Sequence, residues 1–150
     1  MEVFRICRAS FSKELLASGN ANRWNFKGQK VIYTGQSRSL STLELIVHKS
    51  SVIPDVFYKV MVISIADQDH LVDHLKISGL PKNWRTLTAY PALQKIGAAW
   101  YSANESLVLK VPSVVVPEEF NYLINTEHPD FRENVTLVRT ENYFWDFRLL

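Results

Sequence analysis

Two periods run along the chain and divide it into short elements. "VFRIC" and "KVIYT" are β-rich runs that predict a first and a second strand, and "DVFYKVMVISI", after Pro54, alternates well enough to predict a long, half-buried third. "SRSLSTLELIVHKS" instead repeats at helical spacing. It places Leu40, Leu43, Ile46 and Val47 on one stripe behind serines able to cap it. "SFSKELLAS" predicts a shorter helix, capped by Ser10 or Ser12 and closed by Gly19-Asn20, and Pro91 suits the first turn of a helix over "ALQKIGAAWYSA". "DQDHLVDHLKISGLP" is ambiguous between periods. The last third holds four short strand candidates, "LVLKV", "FNYLIN", "VTLVR" and "YFWDF", separated by Pro, Asn, Glu and His.

Strands thus dominate late, and no βαβ alternation with a Gly-rich fingerprint is present. A doubly wound dinucleotide fold is disfavoured, and the order predicts an α+β fold: a compact β-sheet core of two packed sheets with flanking helices. At 150 residues, with 47% apolar and 21% charged positions, the chain fits a single domain over 1–150, large enough to bury a core of its own.

Charge narrows the partners little. Seventeen Lys and Arg stand against 15 Asp and Glu, interspersed along the chain, so no basic footprint for nucleic acid is gathered anywhere. The single cysteine, Cys7, excludes an internal disulfide. The start "MEVFRICRAS" carries no apolar targeting segment, and the most apolar stretch is short and contains Lys59, so the expectation is a cytoplasmic protein without a membrane span.

Candidate chemistry begins with "NRWNFKGQKVIYTG". Asn20, Asn22 and Asn25 offer side-chain hydrogen bonds, Gly19 and Gly28 relax the backbone, and Arg23 presents a planar fork suited to phosphate. The plainer reading of Arg23 beside Trp24 is an exposed stacking contact. Glu44 sits about 80° from the centre of its helix's apolar stripe, at roughly 100° per residue, where a carboxylate either reaches water at the rim or faces a cleft. Tyr33 and Ser113 each stand at a strand end, where a tyrosine usually packs and a serine usually satisfies a turn. His70 and His74 are spaced for one helix face near Asp67, Asp69 and Asp73. Without the glutamate a zinc hydrolase places beside its first histidine, a solvated face is the better reading, and no metal is expected.

"VFRICR", "NRWNFKGQKVIYTGQSRSLSTLE", "IGAAWY", "LVLKVPSVVVPEEFNYLIN", "EHPDF" and "FWDFRLL" together resemble the RES-domain family, named for Arg, Glu and Ser. Arg23, Tyr33 and Glu44 stand ten and eleven positions apart, with Ser113 following inside "VPS". The resemblance implies a fold similar to that of ADP-ribosyltransferase toxins. It also implies a toxin of a bacterial type II toxin–antitoxin system that cleaves the nicotinamide–ribose bond of NAD, by hydrolysis or phosphorolysis. NAD would be substrate and no cofactor is implied. The alternatives are transfer of ADP-ribose to a host protein and a catalytically inactive binding protein of the same fold. Glu44, Tyr33 and Arg23 would be catalytic, while Arg5, Ser113 and Asn125 would bind substrate. The implied partner is an Xre-like antitoxin, with a homodimer within that complex as a further expectation. The stretch from Asp67 to Leu87 carries no family signature.

Overall fold

A computed structural model describes residues 1–48, 57–146 and 148. Seven strands, β1 (Glu2–Arg8), β2 (Val31–Gly35), β3 (Tyr58–Ile65), β4 (Val72–His74), β5 (Val108–Pro112), β6 (Phe120–Asn125) and β7 (Val135–Asn142), form one sheet in the order β4-β5-β6-β2-β1-β3-β7. All neighbours are antiparallel except β4 and β5. Among the described residues three α-helices accompany them: α1 (Arg38–His48), α2 (Tyr90–Ala103) and the single turn α3 (Phe131–Asn134). The α+β class read from the element order is the class observed.

The two expected sheets are two halves of this one. β1 pairs with β3 over seven residues and β2 with β6 over five, but β1 and β2 meet at a single pair, Phe4 opposite Gly35. Beyond that pair the halves diverge. The sheet also curls, because Met1 and Ala66 line the same cavity as Val72 of β4. In a flat sheet β4 would lie four strands, or about 19 Å, from β1. Val3, Met61 and Ile63 of one half and Ile32, Val108 and Ile124 of the other accordingly share one core.

Strand alternation sorts the remaining side chains to the outer faces. On β3, Met61, Ile63 and Ile65 enter the shared core, while Tyr58, Val60 and Val62 pack outward with Phe4, Ile6 and Leu45 of α1. β3 is therefore buried on both faces, not half buried. The outer face of the other half carries Val31, Leu109, Val111 and Leu123, covered by Leu93 and Trp100 of α2 and by Trp24 and Trp84.

Several predicted elements form differently. The helix expected over 10–18 is only a 3₁₀ turn at Ala9–Phe11, followed by irregular chain whose Leu15 and Ala17 dip into the shared core. So short a helix nucleates poorly without a face to bury. α1 forms but is rotated: Leu40, Ser41 and Leu45 are buried, whereas Leu43 and Val47 are exposed. Ser41 draws this face inward, its one hydroxyl proton shared between the carbonyls of Phe4 and Ser37, each 2.9 Å from Oγ. His70 and His74 share no helix, since a 3₁₀ turn at Asp69–Leu71 leads directly into β4. Residues 143–146 form no strand. Tyr143 and Trp145 pack edge to face at 4.8 Å and tuck under the sheet instead. The predicted positions 49–50, 55–56 and 147 lie outside the described residues.

Candidate active site

The loop from Gly19 to Lys30 is a closed wall. Gly19 and Gly28 both adopt positive φ, 72° and 94°, and the Gly28 N–H donates to the Gly19 carbonyl at 2.8 Å. The Asn25 amide ties the interior, donating to the carbonyls of Asn20 and Phe26 at 2.9 Å each. α2 holds the loop from outside, where Gln94 donates to the Asn22 carbonyl at 2.9 Å. Gly97 lets the Trp24 backbone lie against the helix, because a Cβ at Gly97 would stand 1.8 Å from the Trp24 oxygen.

This wall faces α1 across the seam between β1 and β2. The cleft between them has a volume of about 190 Å³ and is lined by Arg5, Asn22, Tyr33, Ser41, Glu44 and Asn121, among others. A smaller and more enclosed chamber of about 30 Å³ adjoins it. Asn22, Tyr33, Glu44 and Asn121 border both spaces, and Arg23 and Val114 border only the chamber.

Glu44 reaches the cleft because the rotation of α1 that buries Ser41 also turns Glu44 inward, and its Oε1 accepts two hydrogen bonds. Asn121 Nδ2 donates at 2.6 Å and Ser113 Oγ at 3.0 Å. The direction of the serine bond is fixed by its surroundings. Ser113 Oγ already accepts the N–H groups of Val115 and Val116 at 3.0 and 3.1 Å, so its proton is left for the carboxylate. Of the two readings of Glu44, the one facing a cleft is the one observed.

Tyr33 is fixed just as firmly. Its hydroxyl donates to Asn25 Oδ1 at 2.7 Å and accepts the Trp24 N–H at 3.1 Å. Burial raises the phenol well above its ordinary pKa, outweighing the lowering effects of the Trp24 N–H and of Arg23. Tyr33 therefore presents a neutral ring to the cleft, and its hydroxyl tethers the loop.

Arg23 is buried rather than exposed. Its guanidinium donates from Nη1 to the Trp84 carbonyl at 3.1 Å and lies over the Tyr90 ring at 4.5 Å, beside the chamber and not in the main cleft. Arg5 does line the cleft and donates to the Leu16 carbonyl at 2.9 Å, with burial lowering its pKa.

Asn125 is not brought to this site. It ends β6 four residues past Asn121, about 13 Å along the strand. There it donates to Asn104 Oδ1 and accepts the Glu127 N–H, both at 3.0 Å, which is a turn-stabilising role. Asn121 is the residue that sequence reasoning missed. Its signal was present in "FNYLIN", where a polar residue occupies the phase of the buried Leu123. Among the described residues, no group of three or more His, Cys, Asp or Glu is placed to hold a metal ion. No described helix is long and apolar enough to cross a membrane.

The chain is 36% identical over 129 residues to Toxin Res of Yersinia enterocolitica, covering 85% of this chain and 82% of the relative. It is 31% identical over 129 residues to the Prs ADP-ribosylating toxin of a Sphingobium species, covering 85% and 80%. A chain of the M. tuberculosis MbcT–MbcA toxin–antitoxin complex shares the fold with a TM-score of 0.70 at 14% identity, over 95% of this chain and 83% of that one. The RES domain model matches residues 2–146, which takes in the loop wall, α1 and the Ser113 and Asn121 that bond Glu44, and the chain belongs to the RES domain family.

Proposed function

We propose that this protein is a toxin that breaks the nicotinamide–ribose bond of NAD. The observation that carries the reading is the Glu44 carboxylate, turned into the cleft by α1 and held through Oε1 by Ser113 and Asn121. Leaving of nicotinamide develops positive charge on the ribose, as at a glycosidic centre, and a preorganised carboxylate stabilises that charge where water would have to reorient. A cleft of about 190 Å³ suits the nicotinamide riboside end of the dinucleotide. That volume is below the roughly 300 Å³ at which pockets for drug-sized ligands begin, so the adenylate half would lie along the surface. Arg5 is the cation lining the main cleft and the better candidate for its phosphate side, while Arg23 secures the loop wall.

The test is release of nicotinamide from NAD by the purified chain without added metal or redox reagent. Release is the expected result, and its absence, with or without phosphate, would overturn the reading. The MbcT–MbcA complex is a toxin–antitoxin pair, which supports an antitoxin partner here, read as the Xre-like type. Adding that antitoxin should suppress release in the same assay. The name of the Sphingobium relative favours a second reading, transfer of ADP-ribose to a protein. NAD labelled in its adenylate half would then leave label on a macromolecule.

Tyr33 separates ring from hydroxyl. Tyr33→Phe unpairs the Trp24 N–H and Asn25 Oδ1 and should lower stability by about 1–3 kcal/mol. It should leave the alkaline limb of the pH–rate profile unmoved, because the phenol stays neutral. Tyr33→Ala also removes the ring and should raise KM for NAD. Denaturant unfolding and initial rates across pH check both, and loss of the alkaline limb in Tyr33→Phe would make the hydroxyl an acid.

A further inference from the structure

Asn121 of β6 bonds Glu44, so its strand neighbours Phe120 and Tyr122 point to the opposite face of the sheet. A second and larger cavity opens on that face. Its volume is about 440 Å³, a size suited to a small-molecule ligand, and its lining includes Ala66, Asp69, Val72, Lys110 and Tyr122. The cleavage of NAD at Glu44 makes no use of it.

The two ends of this cavity carry opposite charge. β4 and β5 run parallel with Val72 opposite Val108, so Lys110 lies beyond that row along the chain and Asp69 before it. Lys110 is half-buried, with its Nζ 4.1 Å from the centre of the Phe120 ring and 6.0 Å from that of Tyr122. Neither ring is a counter-ion. Among the described residues Lys110 makes no ion pair. The field around it is positive, since burial, followed by Lys110 and Lys76, holds the neighbouring His74 below its ordinary pKa.

At the other end stand two aspartates. Asp67 accepts the Met1 amine at 2.6 Å. Asp69 is exposed at the rim, and among the described residues its carboxylate has no hydrogen-bond or ion-pair partner. Val72, Ala66 and the Tyr122 ring supply the apolar surface of the cavity. Burial raises the Tyr122 pKa, so the phenol adds no charge.

We propose that this cavity binds a nucleoside 5′-monophosphate, with its phosphate on Lys110, its base against the Tyr122 ring and its ribose hydroxyls donating to Asp69. On such a nucleotide the base and the 5′-phosphate leave one face of the ribose, and the 2′- and 3′-hydroxyls leave the other. Lys110 and Tyr122 stand together in the same way, with Asp69 apart from them. Lysine is an ordinary phosphate partner, carboxylates accept ribose hydroxyls, and bases stack on aromatic rings. A bare anion would use Lys110 alone, and an α-amino acid would leave most of the cavity unfilled.

Titration calorimetry of the full chain with AMP as probe is the test, and saturable binding is expected. Lys110→Met keeps the apolar stem and removes the charge, so it should weaken AMP by on the order of tenfold. Asp69→Asn lies on an exposed turn and leaves the fold alone. The unsubstituted chain should prefer AMP over its 2′,3′-dideoxy analogue by about fivefold, and Asp69→Asn should abolish that preference. Nicotinamide release should be unchanged in both variants. Absence of binding overturns the proposal, and so does AMP binding that both variants leave intact, which would place the nucleotide elsewhere on the chain. Inorganic phosphate binding as tightly as AMP, or glycine binding in its place, overturns the nucleotide assignment in favour of a bare anion or an amino acid.

Discussion

Glu44→Gln should lower kcat for nicotinamide release by about a hundredfold or more while leaving KM for NAD and thermal stability nearly unchanged. The substitution keeps the shape of the side chain, and a carboxamide oxygen still accepts from Ser113 Oγ and Asn121 Nδ2. Only the negative charge is lost. If that charge acts on the cation developing at the ribose, its removal is felt in the transition state and not in the ground state, so the effect falls on kcat. Initial rates alongside a melting curve separate the outcomes. Full turnover in a well-folded variant would reduce Glu44 to a helix-surface carboxylate that happens to border a cleft.

The sequence pattern revealed which segments pair but not how they fold over one another. β2, β5 and β6 were legible because each is a short β-rich run with clear punctuation, and the backbone hydrogen bonds follow from that locally. Positions 10–18 and 143–146 misled for the same physical reason. Their apolar residues do reach a core, Leu15 and Ala17 in one case and Tyr143 and Trp145 in the other, but as irregular chain laid across a sheet. Burial was readable there and hydrogen-bonding geometry was not.

The rotation of α1 was invisible for a different reason. Apolar count favoured the stripe through Leu43 and Val47, but Ser41, satisfied by the Phe4 and Ser37 carbonyls, fits closer to the sheet. Gly35 makes that approach feasible, since a Cβ there would stand 2.6 Å from Ser41 Oγ. The same rotation decides the chemistry by turning Glu44 inward. Arg23, Tyr33, Glu44 and Ser113 were named from the sequence through family resemblance. Their division of labour, with Arg23 and the Tyr33 hydroxyl holding the wall while Ser113 and Asn121 aim the carboxylate, depends on contacts between segments up to 77 residues apart.

That wall should be most sensitive at Gly97. In an ordinary helix interior, Gly→Ala is stabilising by about 1 kcal/mol, because alanine has the higher helix propensity. Here the opposite sign is expected. The new Cβ would lie 1.8 Å from the Trp24 carbonyl oxygen and 3.2 Å from the Trp24 Cα. Carbon and oxygen settle near 3.3 Å, so α2 and the loop must part by roughly 1.5 Å. Both partners are backbone, and neither can rotate away as a side chain would. The clash should outweigh the propensity gain and destabilise the protein by about 3 kcal/mol. Displacing the Trp24 N–H also releases the Tyr33 hydroxyl, so activity should fall by about a hundredfold even in the fraction that remains folded. Gly79→Ala is the control, since a Cβ there meets nothing within 4 Å and should alter neither stability nor rate appreciably. Denaturant midpoints and initial rates for the two variants, measured side by side, test the assignment. If Gly97→Ala matched Gly79→Ala in both, the loop would not depend on its seat against α2.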